Sequence, residues 1–80
     1  MSSSLVHNQL RLAREAAGLT QQQLADAVGV TRQTIGLIER GDYNPTVRLG
    51  LLLAAELKTS IGELFWLGKA SAVSTAKELG

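Results

Sequence analysis

Apolar residues recur along this chain at helical spacing, in stretches that open on a capping residue and close on a helix breaker. Val6, Leu10, Ala13 and Ala17 follow at steps of four, three and four, forming one stripe on a first helix that Gly18 stops, with Asn8 or Ser4 placed to cap its start. Thr20 and Gln23 have the spacing of a capping box and open a second helix, whose Leu24, Ala25 and Val28 face inward and which Gly29 ends. After a tight turn, Thr31 caps a third helix that directs Ile35 and Ile38 to the core and stops at Gly41. Asp42 to Pro45 reads as a loop, because a residue before proline is steered away from helix. Thr46 then caps a fourth helix running to about Leu57. Ser60 and Glu63 repeat the capping-box spacing and start a fifth, which Phe65, Trp66 and Leu67 close and which ends near Gly68.

This pattern predicts an all-α fold class, a compact five-helix domain over residues 1–67 followed by a flexible tail over 68–80. Val73 and Leu79 are the only large apolar residues beyond Gly68; the alternative is a short amphipathic helix from Ala70 to Leu79 that forms against a partner. A chain of 80 residues has room for one core, and its apolar residues are mostly Leu, Ala, Val and Ile, which suit a small helical bundle. With no cysteine, neither disulfides nor a thiolate metal site staple it. No apolar run approaches the ~18 residues of a membrane span, and the Met1 to Ser4 start lacks the basic and apolar regions of a signal peptide. The expectation is a cytoplasmic protein without membrane contact.

Catalysis finds little support. The sole histidine, His7, lies near the chain start, and Glu15, Asp26 and Glu56 form no nucleophile or ligand pattern, so no cofactor and no metal are expected. A net charge of +1 decides nothing about nucleic acid, but its distribution is informative. Arg11, Arg14, Arg32, Arg40 and Arg48 all fall in the first 48 residues, while Lys58, Lys69 and Lys77 follow. Arginine makes planar bidentate bonds to phosphates and guanine edges that lysine does not copy.

Residues 14–41, REAAGLTQQQLADAVGVTRQTIGLIERG, together with Asn44-Pro45-Thr46 and Ser60-Ile61-Gly62-Glu63-Leu64-Phe65, resemble the Cro and phage-repressor (XRE) helix-turn-helix family. The resemblance spans roughly residues 8 to 67 and implies a lambda-repressor-like DNA-binding domain with its helix-turn-helix formed by helices 2 and 3. It implies a transcriptional regulator, a repressor binding double-stranded DNA. At about 100° per residue, the face of helix 3 opposite Ile35 and Ile38 carries Gln33, Gly36, Leu37 and Arg40, with Arg32 and Thr34 at the leading turn. Arg32 suits guanine, Gln33 suits adenine, and Thr34 offers a hydroxyl or a methyl. Leu37 either touches a thymine methyl or packs on its neighbours. Gly36 either lets the helix approach DNA closely or marks a place where no side chain is wanted.

Thr20, Gln21 and Gln22 stand at the start of helix 2 and Thr31 at the start of helix 3, where N–H groups and the helix dipole favour a phosphate oxygen. By resemblance, Gln21 anchors the DNA backbone and braces Arg32, whereas Gln22 and Gln23 also suit capping and solvation. Arg40, Tyr43 and Asn44 follow helix 3, where phosphates pass or water surrounds them. The resemblance also implies a buried salt bridge between Arg14 and Glu39, tying helix 1 to helix 3. Two positions depart from the family pattern: the Asp42-Tyr43-Asn44 loop is not basic, and Lys58 occupies a helix end where Gly or Asn is common.

Helix 4 is apolar nearly all round. Val47, Gly50, Leu53, Ala54 and Leu57 share one face, with Leu52 almost opposite, so Leu52, Trp66 and Leu67 are expected in a homodimer interface. By resemblance such a dimer meets a palindrome with half-sites ~34 Å apart. The rival expectation is a protein-interaction module of the same fold, such as an antitoxin that sequesters a toxin; a transcriptional bridging factor is a third.

Overall fold

A computed structural model describes residues 5–68. The expected tail, apart from Gly68, lies outside the described residues. The elements in chain order are β1 (Val6–Asn8), α1 (Leu10–Ala16), α2 (Gln21–Val28), α3 (Arg32–Arg40), α4 (Val47–Glu56), α5 (Ile61–Leu64) and β2 (Phe65–Leu67). Leu10, Leu24, Ile35, Ile38, Leu53 and Leu64 are fully buried where the helices meet, with Ala25, Leu49 and Ala54 between them. Each helix contributes to this core. Its removal from water, at about 25 cal/mol per Å² of apolar area, is the main force holding helices this short together.

The caps follow local chemistry. Thr20 Oγ1 accepts from the Gln23 amide at 3.0 Å while Gln23 Oε1 accepts from the Thr20 amide at 2.8 Å, satisfying two N–H groups at the α2 start. Thr31, Thr46 and Ser60 each accept from the amide three residues on. At Ser60 the pairing is one-sided, because the Glu63 carboxylate turns to the Thr59 hydroxyl. Gly29 (φ 81°) closes α2 in the left-handed region, and Thr31 caps α3 two residues later.

The expected all-α class needs correction: the fold is mostly helical, with two short strands. β1 and β2 pair antiparallel, with Val6 opposite Leu67, His7 opposite Trp66 and Asn8 opposite Phe65. The Gln9 amide extends the ladder by donating to the Leu64 carbonyl at 3.0 Å. Both strands were expected as helix. Val6 stands four residues before Leu10 as a helical stripe requires, but a strand feeding into a helix also directs a residue toward the core. The three residues Phe65 to Leu67 are too few to show a period, and Phe65 is extended at φ −134°, ψ 138°. Helix α5 therefore stops at Leu64, not near Gly68, and α1 begins at Leu10; Ala17 is its exposed C-cap and not a core residue.

Asn8 joins these pieces. Its Oδ1 accepts from the Leu10 amide and its Nδ2 donates to the Ile38 carbonyl, each at 3.0 Å, so one half-buried side chain starts α1 and ties it to α3. Gln9 Nε2 donates to the Glu63 carbonyl at 2.7 Å, linking the same corner to α5.

Candidate nucleic-acid interface

Helix α3 buries Ile35, Gly36 and Ile38, so its outward side is set by the core. Arg32, Gln33 and Arg40 are exposed and Leu37 is half-buried. The Thr34 hydroxyl lies 3.0 Å from the Thr31 hydroxyl and its amide donates to the same oxygen at 3.2 Å, so Thr34 is partly engaged in the cap. Gly36 differs from the expectation of a solvent-facing contact: it is buried under neighbouring side chains. Arg40 Nε bonds Asp42 Oδ2 at 3.3 Å, with both side chains about three-fifths exposed, an ion pair of little energetic weight.

The N-terminus of α2 lies alongside. Gln22 Nε2 donates to Asp26 Oδ1 at 2.8 Å, one turn further along the exposed face. Gln21 is half-buried, and its Nε2 donates to Glu39 Oε1 at 3.1 Å, so it braces the end of α3 and not Arg32 at the start. The sequence carried no local signal for this partner, eighteen positions away.

Glu39 is the hub of the site. Arg14 Nε donates to Glu39 Oε2 at 2.6 Å and Arg14 Nη2 to Glu39 Oε1 at 3.3 Å, while Arg14 Nη1 donates to the Leu19 carbonyl at 2.8 Å. The side chains of Arg14 and Glu39 are 10% and 4% exposed, so two opposite charges are buried together and bidentately bonded. The Glu39 hydrogen bond raises the Arg14 pKa above its ordinary value against the opposing effect of burial, and arginine stays charged at any accessible pH. No buried side-chain polar atom among the described residues lacks a hydrogen bond. Helices α1, α2 and α3 are thus locked by one network that holds the C-terminal turn of α3.

Tyr43 and Asn44 are exposed on the loop after α3. Asn44 also borders an apolar hollow of about 120 Å³ whose walls include Val6, Pro45, Val47 and Phe65. Val47 on its wall is exposed, and Leu5, Leu12, Leu51 and Leu67 are further exposed large apolar residues of the described chain. The expectation for α4 shifts here: Leu49 is buried, Val47 is exposed, and Leu52 is half-buried, so Val47 and Leu51 form the outer apolar row. Trp66 is half-buried and stacks on His7 with ring centroids 6.4 Å apart, leaving Leu67 as the outward residue of β2.

Among the described residues no cluster of His, Asp or Glu has the form of a metal site, and no helix is long and apolar enough to cross a membrane. The family model described as helix-turn-helix matches residues 10–64. The chain is 38% identical over 60 residues to the HTH-type transcriptional regulator YgzD of Bacillus subtilis, covering 75% of this chain and 91% of that protein. It is 38% identical over 55 residues to the control protein C.SmaI of Serratia marcescens, covering 69% and 66%. Among solved structures it resembles the restriction-modification controller protein C.AhdI from Aeromonas hydrophila, with a TM-score of 0.64 and 39% identity over 68% of this chain and 82% of that one.

Proposed function

This chain belongs to the helix-turn-helix family of transcriptional regulators, and on that premise we propose that it represses transcription by binding a palindromic operator as a homodimer. Helices α2 and α3 form the helix-turn-helix, and α3 enters the major groove. The observation that carries this reading is the side of α3 left free by the core. It presents Arg32 and Gln33 at the leading turn and Arg40 at the far end, on a helix fixed to α1 by the Arg14–Glu39 pair. Arg32 and Gln33 read guanine and adenine edges, while Thr34 and Leu37 supply shorter-range contacts. Thr20, Gln21, Gln22 and Thr31 at the two helix starts, and Arg40, Tyr43 and Asn44 at the exit of α3, meet phosphates.

A single unit of this size reads few base pairs, and two-fold pairing doubles the contact. The exposed apolar side chains of Val47, Leu51 and Leu67 support self-association, together with the partly exposed Leu52 and Trp66. Repression follows from occupancy of an operator overlapping a promoter. Selection of bound sequences from random duplex DNA tests the whole reading: a palindromic consensus is expected, and recovery of unenriched sequence at low salt would overturn it.

A further inference from the structure

The outward side of α4 carries two rows of residues at steps of four. Val47, Leu51 and Ala55 form an exposed apolar row, and Arg48, Leu52 and Glu56 form the row beside it, with Leu52 half-buried between two exposed charges. The opposite side, Leu49, Gly50, Leu53 and Ala54, is buried in the core.

Both charges stand at the end of the helix that disfavours them. Arg48 is in the first turn of α4, where free N–H groups favour an anion, and Glu56 is its last residue, where free carbonyls favour a cation. Neither has an ion-pair partner among the described residues. Nor do they serve one another, because a step of eight along the helix separates them by about 12 Å. Within a single chain both charges weaken α4, and an opposite charge from outside relieves each.

Their placement identifies the outside molecule. Arg48 and Glu56 stand four residues before and four after Leu52, so the charge pattern of this row is its own complement when reversed. A second copy of α4 laid antiparallel about a two-fold axis at Leu52 sets Arg48 against the partner's Glu56 and Glu56 against the partner's Arg48, while Lys58 falls opposite the uncharged Thr46 of the partner subunit. A parallel copy sets arginine against arginine and glutamate against glutamate. Rows at steps of four are also the ridges through which two helices most commonly interlock.

We propose that the homodimer is built on antiparallel α4 helices crossing at Leu52, with two reciprocal Arg48–Glu56 pairs that fix the register and restrict pairing to copies with the same charge pattern. This deepens the homodimer reading above and rests on it. The apolar rows supply the contact, and the charges select the partner and its direction.

Charge reversal tests the register. Sedimentation velocity compares the wild type, Arg48→Glu, Glu56→Arg, an equimolar mixture of these two variants, and the double variant. Each single variant sets like charges together at both contacts and is expected to raise the dimer dissociation constant at least about tenfold, a loss that high salt narrows. The mixture and the double variant restore opposite charges at both contacts and are expected to dimerise as the wild type does. Each substitution suits the helix dipole better than the native residue, so helix content by circular dichroism should not fall. Single variants that dimerise as tightly as the wild type, or a mixture or double variant that stays weak, overturn the register and leave the homodimer standing. A wild type that sediments as a monomer at high micromolar concentration overturns the homodimer itself and the register with it.

Discussion

Gln21 donates its side-chain amide to Glu39 Oε1 at 3.1 Å, on the same carboxylate that Arg14 holds through both oxygens. A residue at the start of α2 is thereby positioned by an ion pair that also locks α1 to α3. The proposed phosphate contact of Gln21 and the stability of the domain thus depend on one carboxylate.

Removing Glu39 leaves Arg14 charged, buried and without its partner. Glu39→Ala should destabilise the domain by about 3–5 kcal/mol, whereas replacing Arg14 and Glu39 together by Met and Leu should cost much less. Urea unfolding followed by circular dichroism measures both. A loss below about 1 kcal/mol for Glu39→Ala would show that the pair carries little energy.

Lys58 closes α4 at φ 58°, a left-handed conformation that a side chain disfavours. Lys58→Gly relieves that strain but also loosens the unfolded chain, so the net gain should be about 0.5–1 kcal/mol. It should appear as a higher thermal midpoint with unchanged DNA affinity. A lower midpoint would mean that the lysine side chain stabilises this turn.

Base readout and backbone anchoring should separate on mutation. Gln33→Ala is expected to lose about 1–3 kcal/mol on the best operator and relax preference at one position, with little change on scrambled DNA. Gln21→Ala should weaken both duplexes by similar factors with the salt slope nearly unchanged, since the lost side chain is neutral. Equal losses on the two duplexes for Gln33→Ala would remove it from the reading set.

Self-association should depend on the outer row of α4. Leu51 is 52% exposed, so Leu51→Glu should leave the monomer fold intact while shifting light scattering from dimer to monomer. It should also weaken operator binding by an amount that grows as protein is diluted. A dimer that survives this substitution would place the interface elsewhere.

Much of this architecture was legible locally. Thr20 with Gln23, Thr31 with Ile35 and Ile38, and Thr46 after Pro45 mark helix starts and faces through contacts within four residues, and such contacts are written in spacing. The strands were not, because Val6–Asn8 and Phe65–Leu67 are each three residues long and stable only against one another, across most of the chain.

The sequence by itself determined the five helices, the inward side of α3 and hence the side that Arg32 and Gln33 occupy, since periodicity and capping are short-range physics. Tertiary packing decided the rest: that Gln21 turns to Glu39, that Asn8 joins α1 to α3, that Gly36 is covered by Arg40 and Gln21, and that Val47 and Leu51 stay outside while Leu52 is half-buried. Each depends on where one helix lies against another. Side-chain spacing within a helix sets the direction a residue points, and only the neighbour it meets sets what it bonds, how deeply it is buried and which charge it answers.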